Sequence, residues 1–598
     1  MAHRDDNHKL EYNHRRDNLK TNIIKINEVL LKDHDDWLHF SKPHQIITSN
    51  NLEDVIPALR EIESLVERHG WHAAGFLSYE ASSAFDKAHA TKPAAEFPLI
   101  WFGLYPKPRI ITLPEPVSTP QTLTWLPTTD RSTYNKAIER IREHIAQGQT
   151  YQVNYTMRLQ SEFNIDPWDF FLQFTQYQND HAAYIDLGRH VICSASPELF
   201  FQLDGGDIMS RPMKGTMSRG RTSLEDQHQA QALKGSEKNR AENVMIVDMI
   251  RNDLGRIAKI GSVQVPQLFT IEKYPSLWQM TSTVTAKTDA SITEIFTALF
   301  PCASITGAPK VSTMQIISDL ETTPRQIYTG SIGYIFPSRK ANFNVAIRTA
   351  LIDRKTKTAE YGVGGGIVWD STSKDEYAEA LLKALVLVQA MPTFSLLETM
   401  MWSPREGFFL REGHIARLLE SADYFDFKIL REQIENYLDQ ISSQLTHLQR
   451  VRLLLDRYGK LSYEAHSFQA QNDQSPLRAH LAKEPVHSGN IFLFHKTTHR
   501  EVYEIARKDF PEYDDVLLYN ENGELTEFTI GNLVAEIDGR FYTPPISCGL
   551  LAGTFREHLL KTGLIIERVI HMDEMEKCTN FFLVNSVRRW QNVILEPS

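Results

Sequence analysis

Apolar residues recur at helical spacing in four segments of the chain, and each such face predicts a helix that packs against a core. The clearest segment is 132–146, where Ile138, Ile141 and Ile145 share one face and Gly148 ends the pattern. The same spacing predicts helices over 237–254, about 374–388 and 414–424. The apolar face of the second of these comprises Val244, Val247 and Ile250.

Short apolar runs between turn residues predict strands. They cover 74–79, about 100–104, 191–195, 199–203, 361–363, 395–399 and 451–455. Three glycines, 364–366, follow one of these runs and predict a turn ahead of the next helix.

Breaks in these patterns suggest where the domains lie. Residues 1–22 are polar and are expected to be flexible. Prolines between 106 and 120 predict a surface connection, which divides 23–390 into an N-terminal part, 23–130, and a second part, 131–390. Pro392 interrupts the helical pattern, and a further domain is predicted over 393–598.

Length and composition indicate a multidomain enzyme rather than a nucleic-acid-binding or fibrous protein. The chain has 598 residues, of which 42% are hydrophobic, and a net charge of -11, which disfavours nucleic acid as a partner. Its four cysteines are scattered, as is typical of reduced thiols. We see no secretory signal and no apolar run long enough to cross a bilayer, and therefore expect a cytoplasmic protein.

Two kinds of candidate site residue stand out in the first part. Glu376 and Glu379 are three residues apart in a predicted helix and therefore share a face, and Glu242 lies in another helix. Carboxylates suit a hard cation such as magnesium, although glutamates near helix starts also simply favour the helix dipole. Arg348 is a candidate carboxylate ligand or an ordinary ion-pair partner, and glycines 364–366 are a candidate anion nest or a plain turn.

Together these segments resemble the chorismate-utilising enzyme family over about residues 70–390. The matching blocks are Tyr151–Asn154, Ser196–Glu198, Lys214–Thr216, Arg240–Asn243 through Gly255, Ser304–Lys310 and Gly364–Glu379. The resemblance implies an α+β chain that begins with a large chorismate-binding domain of β-sandwich type with helices.

The resemblance also implies roles for individual residues. Glu242, Glu376 and Glu379 would bind magnesium, and Glu198 would be the general acid that protonates the departing C4 hydroxyl. The groups that would hold the substrate carboxylates are Thr306, Tyr328, Arg348 and the backbone of Gly365.

Lys214 distinguishes between members of that family. Anthranilate synthases usually have alanine here, whereas the aminodeoxychorismate synthase component I branch has a lysine that is thought to attack C2 of chorismate before ammonia enters at C4. Gln152 stands where isochorismate and salicylate synthases have a water-activating lysine, and an amide cannot deprotonate water. Both residues favour amination of chorismate at C4.

The chain departs from the family pattern at two places. Gln279 stands where many relatives have histidine, which puts a histidine-dependent hydrogen bond in doubt. Cys302 and Ala303 replace a glycine pair, and this change is expected to tighten a turn.

The last two hundred residues contain a second candidate set. Pyridoxal phosphate needs a lysine for its aldehyde, an acid for its ring nitrogen and donors for its phosphate. Lys496, Glu527, Arg417 and Thr554 occur in a suitable order, although each is also explained as a solvated surface or loop residue.

This set resembles the fold-type IV pyridoxal-phosphate family over about 393–598, which implies a two-subdomain α+β domain. Lys496 would carry the cofactor and shuttle protons, and Glu527 would bind the pyridine nitrogen. Arg417 and Thr554 would bind the phosphate, with backbone donors from Ile530 and Gly531. The block at 585–590 resembles the aminodeoxychorismate lyases of this family, although Arg589 replaces a common glycine.

The two resemblances imply consecutive reactions: amination of chorismate, then loss of pyruvate to give 4-aminobenzoate for folate synthesis. The alternative is an anthranilate synthase component I fused to a branched-chain or D-amino acid aminotransferase, which Lys214 disfavours. A non-enzymatic partner protein is the other alternative, and the intact set of acids and lysines disfavours it.

The expected partners are two small molecules, chorismate and ammonia, and further protein subunits. No cysteine lies in the Gly-x-Cys-x-Gly setting of a glutaminase, so we expect a separate glutamine amidotransferase subunit to supply ammonia. Fold-type IV enzymes are usually dimers, which suggests a homodimer through the C-terminal domain.

Overall fold

The chain folds into two units. In the computed structural model, the first comprises Met1–Ser218 and Ala230–Met391, and the second comprises Arg219–Gln229 and Pro392–Ser598. The structure describes residues 17–18, 24–93, 96–114, 123–175, 181–384, 392–468 and 475–596. The expectation of a flexible N-terminus therefore lies almost wholly outside the described residues.

Strands dominate the first part of the chain. They are β1 (Asp17–Asn18), β2 (Val29–Asp33), β3 (Asp36–Phe40), β4 (Gln45–Ser49), β5 (His72–Leu77), β6 (Ile100–Tyr105), β7 (Arg109–Thr112), β8 (Leu126–Pro127), β9 (Gln152–Glu162), β10 (His181–Asp186), β11 (His190–Ser196), β12 (Leu199–Asp204), β13 (Asp207–Arg211), β14 (Met213–Ser218), β15 (Gln264–Lys273), β16 (Leu277–Lys287), β17 (Gly307–Ala308), β18 (Ser331–Phe336), β19 (Lys340–Asn344), β20 (Thr349–Asp353) and β21 (Thr358–Ile367).

Helices alternate with these strands. They are α1 (Leu52–His69), α2 (Ser82–Phe85), α3 (Arg131–Ala146), α4 (Pro167–Phe174), α5 (Ser223–Gly235), α6 (Glu237–Gly255), α7 (Ile292–Leu299), α8 (Lys310–Leu320) and α9 (Ser373–Ala384). Several starts have side-chain caps: Asp130 accepts from the backbone of Thr133 at α3, and Ser236 accepts from that of Asn239 at α6.

The first unit is a sandwich of two sheets. One has the order β1-β7-β3-β2-β10-β11-β20-β21-β9-β17, with β8 beside β9, and the other has the order β14-β16-β13-β12-β19-β18-β5-β6-β4, with β15 beside β16. One buried cluster joins Val29 and Ile185 of the first sheet to Phe76 and Ile332 of the second, so the two sheets pack face to face. Strands from 23–130 and from 131–390 are interleaved within both sheets.

Helices cover the outer faces of the sandwich. Residues of α1, α6 and α7 share one buried cluster with the second sheet, and residues of α3, α4, α8 and α9 share another with the first sheet. Strands β5 and β6 and most of β9 are therefore buried on both faces, which explains their continuous buried runs instead of strict alternation.

The second unit contains two further sheets. Its strands are β22 (Leu396–Ser403), β23 (Gly407–Phe408), β24 (Gln449–Leu455), β25 (Leu461–Ser467), β26 (Leu477–Leu481), β27 (Asp515–Tyr519), β28 (Leu525–Phe528), β29 (Gly531–Ile537), β30 (Arg540–Thr543), β31 (Ile566–Glu567), β32 (Asn580–Asn585) and β33 (Arg589–Glu596). Its helices are α10 (Arg411–Tyr424), α11 (Arg431–Ser442), α12 (Glu501–Lys508) and α13 (Thr554–Lys561).

These elements form two subdomains with separate cores. The sheet β23-β22-β24-β25 packs with α10 and α11, and the eight-stranded sheet β28-β27-β26-β33-β32-β29-β30-β31 has its own apolar clusters. Where the two meet, the Leu397 N–H donates to the Lys496 carbonyl over 2.9 Å. Among the described residues, no helix is both long and apolar enough to cross a membrane.

Most predicted elements are confirmed, with three corrections. The glycines 364–366 form no turn or anion nest: they lie inside β21 and pair with Thr156, Tyr155 and Asn154 of β9. Val244 is exposed, and the buried face of α6 uses Ile246 together with Val247 and Ile250. The strand predicted over 74–79 ends at Leu77. The end of the helix predicted to 388 lies outside the described residues.

Candidate active sites

Lys214 lies in β14, next to a glycine that requires an unusual backbone. Gly215 has φ of 93°, in the region that favours glycine, and a Cβ atom there would lie 2.9 Å from Cβ of Asn239. Gln279 lies opposite on β16, where its amide donates to the Gly215 carbonyl over 2.8 Å. The glutamine that departs from the family pattern therefore supports the backbone beside Lys214.

The amine of Lys214 is directed into the interior of the first unit. A Cβ atom placed on Gly366 of β21 would lie 3.1 Å from Nζ of Lys214 and 1.8 Å from Nε2 of Gln152. Gln152 is 1% exposed, and neither polar atom of its amide has a hydrogen-bond partner among the described residues. A buried amide without partners is costly, so this pair of side chains indicates a place for a polar ligand.

Acidic side chains surround that amine. Burial lowers the pKa of Lys214, while Glu242 and Glu198 act in the opposite direction. Burial raises the pKa of Glu242 and of Glu376, and the negative charge of Glu379 raises both further. Glu379 thus acts electrostatically on both of the other glutamates.

Lys383 is a basic side chain next to these glutamates. Its ammonium lies 2.8 Å from Glu379 and donates to the Gly364 carbonyl over 3.0 Å, and it lowers the pKa of Glu379. Within the part of the chain that the structure describes, no three acidic, histidine or cysteine side chains are close enough together to hold a metal ion. The donor chemistry suits magnesium, but the ligands are not gathered around one point, and the magnesium site stays a prediction.

Glu198 is a buried carboxyl group with a protonation state suited to an acid. It is 2% exposed, and burial raises its pKa to about 7, although Ser304 and Lys214 act against this rise. Ser304 donates to Oε1 of Glu198 over 2.7 Å, and Sγ of Cys302 lies 3.2 Å from Oγ of Ser304. The cysteine that departs from the family pattern therefore contacts the hydroxyl that holds Glu198.

The four predicted substrate groups lie in or beside the strands of the same unit. The hydroxyl of Thr306 donates to the Ala303 carbonyl over 3.2 Å, and Tyr328 packs its ring against Gly362. Arg348 is in the left-handed region with φ of 47°, and burial lowers the pKa of its guanidinium. Gly365 faces the acidic group, since a Cβ there would lie 3.2 Å from Oε2 of Glu376.

The second unit contains a cavity of about 380 Å³. All six predicted cofactor-binding residues line it, namely Lys496, Glu527, Arg417, Ile530, Gly531 and Thr554. Arginine side chains that the sequence analysis did not single out also line it, namely Arg450, Arg452, Arg500 and Arg588. The structure thus brings the predicted set together and adds a strongly cationic wall.

Lys496 and Glu527 have the electrostatics that a pyridine cofactor requires. Burial and the charge of Arg417 lower the pKa of Lys496 to about 8, and burial raises the pKa of Glu527 to about 7. Glu527 accepts from Tyr503 over 2.8 Å, from Asn532 over 3.1 Å and from the Leu551 N–H over 3.1 Å. This carboxylate is fixed from several sides at the cavity wall and fits a protonated ring nitrogen.

A buried charge network holds Arg417 in the same wall. Its guanidinium donates twice to Glu398, over 2.8 and 2.6 Å, and once to the Ala552 carbonyl over 3.0 Å. Burial alone would raise the pKa of Glu398, but Arg417 and His414 lower it to about 2. Nδ1 of His414 contacts Glu398, and Nε2 of the same ring lies 3.2 Å from Oγ1 of Thr554, the first residue of α13. Arg417 and the start of α13 therefore form a candidate phosphate site.

Several site residues were not predicted from sequence. Lys383 follows Glu379 by four residues, a spacing that signals an ion pair on a helix. Arg450 and Arg452 alternate along β24, a period that places both on one face of the sheet. Arg589 stacks on Phe409 with φ of 61°, which explains why glycine suits that position. Nothing in the local sequence pairs Ser304 with Glu198.

Comparison with protein families agrees with this division of the chain. Residues 26–389, more than half of the chain, match the family described as chorismate binding enzyme. The chain belongs to the chorismate binding enzyme family. Residues 395–594 match the amino-transferase class IV family.

Two aminodeoxychorismate synthases are similar to part of the chain. Aminodeoxychorismate synthase component 1 of Salmonella typhimurium is 40% identical over 278 residues, which are 45% of this chain and 60% of that protein. Aminodeoxychorismate synthase of Streptomyces griseus is 40% identical over 268 residues, 44% of this chain and 37% of that protein. The chain thus spans less than two thirds of the length of these relatives.

Solved structures show the same fold as the first unit. A putative 2,3-dihydroxybenzoate-specific isochorismate synthase from Bacillus anthracis has a TM-score of 0.53 and 18% identity, and covers 61% of this chain and 97% of its own. Anthranilate synthase component I from Streptococcus pneumoniae has a TM-score of 0.50 and 23% identity, and covers 64% of this chain and 96% of its own. At these identities the likeness concerns the fold.

Proposed function

We propose that the chain makes 4-aminobenzoate from chorismate and ammonia in two consecutive reactions. The first unit replaces the C4 hydroxyl of chorismate by an amino group, and the second unit removes pyruvate from the 4-amino-4-deoxychorismate formed. The observation that carries the proposal is the amine of Lys214, which lies in an acidic surrounding beside the buried amide of Gln152, an amide without a hydrogen-bond partner in the described part of the chain. Anthranilate synthases usually have alanine at this position, so the lysine disfavours that alternative.

In the first reaction Lys214 is the nucleophile and Glu198 is the acid. The neutral amine attacks C2, the two conjugated double bonds of the ring shift, and the C4–O bond breaks as Glu198 donates a proton to the leaving hydroxyl, which departs as water. Ammonia then forms the C4–N bond while the C2–N bond to Lys214 breaks, and the surplus proton returns to Glu198. Burial supports both roles, because it lowers the pKa of Lys214 and raises that of Glu198 to about 7.

Gln152 selects the nucleophile that enters at C4. Its amide oxygen can accept a hydrogen bond from ammonia, and an amide cannot take a proton from water. Its burial leaves those hydrogen bonds available to a ligand. Glu242, Glu376 and Glu379 would hold magnesium together with substrate oxygens.

In the second reaction the cavity of the second unit binds 4-amino-4-deoxychorismate and pyridoxal phosphate. When bound, the cofactor supplies an electron sink for removal of the proton from C4 of the substrate, the ring carbon that bears the amino group. Lys496 holds the cofactor and moves that proton, for which its pKa of about 8 is suitable. Glu527 keeps the pyridine nitrogen protonated, and Arg417 with Thr554 binds the phosphate. Arg450, Arg452 and Arg588 line the cavity and would bind the two carboxylates of the substrate.

Product identification tests the proposal. Purified chain that receives chorismate, ammonium, magnesium and pyridoxal phosphate is expected to release 4-aminobenzoate and pyruvate in equal amounts. Anthranilate as the main product would contradict the proposal and support an anthranilate synthase joined to an aminotransferase. Failure both to consume chorismate and to show a pyridoxal absorbance band would support a non-enzymatic protein.

The partners follow from the same reaction. A separate glutamine amidotransferase subunit supplies ammonia, and the relatives named component 1 agree with such a partner. The purified chain should therefore work with ammonium but not with glutamine, and turnover on glutamine alone would contradict this arrangement. We place the enzyme in the cytoplasm and expect a homodimer through the second unit, which light scattering of the purified chain would test.

A further inference from the structure

A short segment from the middle of the sequence belongs to the second unit. Residues 219–229, here called the strap, lie within the sequence range that matches the chorismate binding enzyme family, and outside the range that matches the class IV family. The strap is thus an addition to the class IV domain that the family match alone does not include.

The strap has a rigid internal structure. Arg219 donates to both carboxylate oxygens of Asp226 over 2.7 Å, and the Gly220 N–H donates to the same carboxylate over 2.9 Å. Both charged side chains are almost fully buried. A Cβ atom on Gly220 would lie 2.1 Å from the backbone nitrogen of Asp226, so this turn needs glycine.

The strap contacts the end of α10 through Tyr424. The guanidinium of Arg219 lies 4.4 Å from the centre of the Tyr424 ring and donates to the Tyr424 carbonyl over 3.0 Å. In return the Tyr424 hydroxyl donates to the Gly220 carbonyl over 2.7 Å. These contacts are buried, and two of them involve a charged donor, so they fix the strap firmly against α10.

His495, the residue before Lys496, makes the next link. Its ring lies 4.3 Å from the Tyr424 ring and 4.9 Å from the Phe425 ring, centre to centre. Its Nε2 is 3.2 Å from the Arg221 carbonyl, and its Nδ1 is 3.0 Å from Oγ of Ser421. Both nitrogens therefore have partners, one of which is the strap backbone.

The partners of His495 determine its tautomer. Burial lowers the pKa of this imidazole to about 4, so the ring is neutral near pH 7. A carbonyl can only accept, so Nε2 carries the hydrogen and donates to Arg221, while Nδ1 accepts from the Ser421 hydroxyl. The residue before Lys496 is thus held by the strap through the His495 side chain. The carbonyl of Lys496 itself accepts from the Leu397 N–H.

We propose that His495 is a positioning residue for Lys496 and that the strap is the support on which His495 is fixed. This inference rests on the proposed role of Lys496 as the residue that holds pyridoxal phosphate. A rigid peptide on both sides of Lys496 keeps its amine at one place in the cavity wall, which lowers the entropy lost when the cofactor binds.

The test compares His495→Phe with the wild type in the full-length chain. Phenylalanine keeps the stacked ring and removes both hydrogen bonds. We expect cofactor affinity, measured by fluorescence titration of the cofactor-free chain, to fall about tenfold. The pH at which the absorbance of the cofactor bound to Lys496 changes should shift as well. His495→Gln, which retains a donor toward Arg221, should recover part of both properties.

Two further variants separate positioning from general damage. Tyr424→Phe removes only the hydroxyl that binds Gly220, and Gly220→Ala disturbs the strap from within. Both should weaken cofactor binding in the same direction, with little change in thermal midpoint for Tyr424→Phe. As a matched control, His480→Phe alters a half-buried imidazole that stacks on Phe510, away from the strap, and should leave affinity unchanged.

The possible failures are distinguishable. If His495→Phe and Tyr424→Phe fold normally and bind the cofactor with wild-type affinity and an unchanged pH transition, the positioning role is wrong while the proposed second reaction stands. If the wild type itself binds no pyridoxal phosphate, the proposed second reaction and the positioning role both fall.

Discussion

At the scale of single residues, the chemistry of the first site depends on burial acting in opposite directions on two groups. Burial lowers the pKa of the Lys214 amine because it disfavours the cation, and raises the pKa of Glu198 because it disfavours the anion. Burial therefore favours a neutral amine beside a protonated acid, as the proposed amination requires.

Replacing Ser304 by alanine should move the pH dependence of the first reaction in a defined direction. The reaction needs protonated Glu198, so kcat/KM for chorismate should fall as the pH rises through about 7. Ser304 donates to the carboxylate and lowers its pKa. Without this donor the pKa rises, and the alkaline limb of the profile should move to higher pH.

Ser194→Ala provides a control for that experiment, because Ser194 is also buried but pairs with Thr349. Its pH profile should match that of the wild type. A Ser304→Ala profile with an unchanged or lowered alkaline limb would show that Glu198 is not the acid that limits the reaction.

Replacing Glu398 by glutamine should weaken cofactor binding. Glu398 accepts two hydrogen bonds from Arg417 and lies 2.6 Å from Nδ1 of His414, so the change releases the arginine predicted to bind the phosphate. Loss of such charge-assisted bonds predicts affinity for pyridoxal phosphate that is lower by about tenfold or more. Titration of the cofactor-free chain measures it.

Glu412→Gln is the matched control, since Glu412 is an exposed residue of α10, the helix that contains Arg417, and pairs with Arg431. It should bind the cofactor like the wild type. Equal affinity of both variants would contradict the role of Arg417 in the phosphate site.

At the scale of elements, the hydrophobic pattern predicted most helices and strands, and it failed where tertiary contacts decide the structure. Glycines 364–366 suggested a turn because glycine is common in turns, yet they continue β21. Their small size is needed for packing: a Cβ on Gly364 would lie 2.2 Å from the Tyr155 carbonyl oxygen, and one on Gly366 would lie 1.8 Å from the Gln152 amide. Such neighbours are distant in sequence and leave no local signal.

Gly366→Ala should therefore damage the first reaction selectively. The added methyl group would displace the Gln152 amide and crowd Lys214. Displacement of reacting groups by about 1 Å can cost roughly 100-fold, so we expect a loss of about that size in chorismate amination. Gly235→Ala, a position with open space around it, should retain activity. Normal amination by Gly366→Ala would place the reaction elsewhere.

At the scale of the whole molecule, the motif blocks predict two sites, because each block brings its chemistry within a few residues. Lys214 and Lys496 could be singled out in this way. The extension of the second unit by 219–229 could not, since neither periodicity nor composition changes there. The arginines of the cavity also escaped prediction, because their convergence depends on strand pairing between distant segments.

The most direct test of the central claim is mass-spectrometric product analysis of Lys214→Ala and Lys496→Ala beside the wild type, each with chorismate, ammonium, magnesium and pyridoxal phosphate. We predict 4-aminobenzoate from the wild type only, with 4-amino-4-deoxychorismate accumulating in Lys496→Ala and absent from Lys214→Ala. Continued formation of 4-amino-4-deoxychorismate by Lys214→Ala would contradict the account.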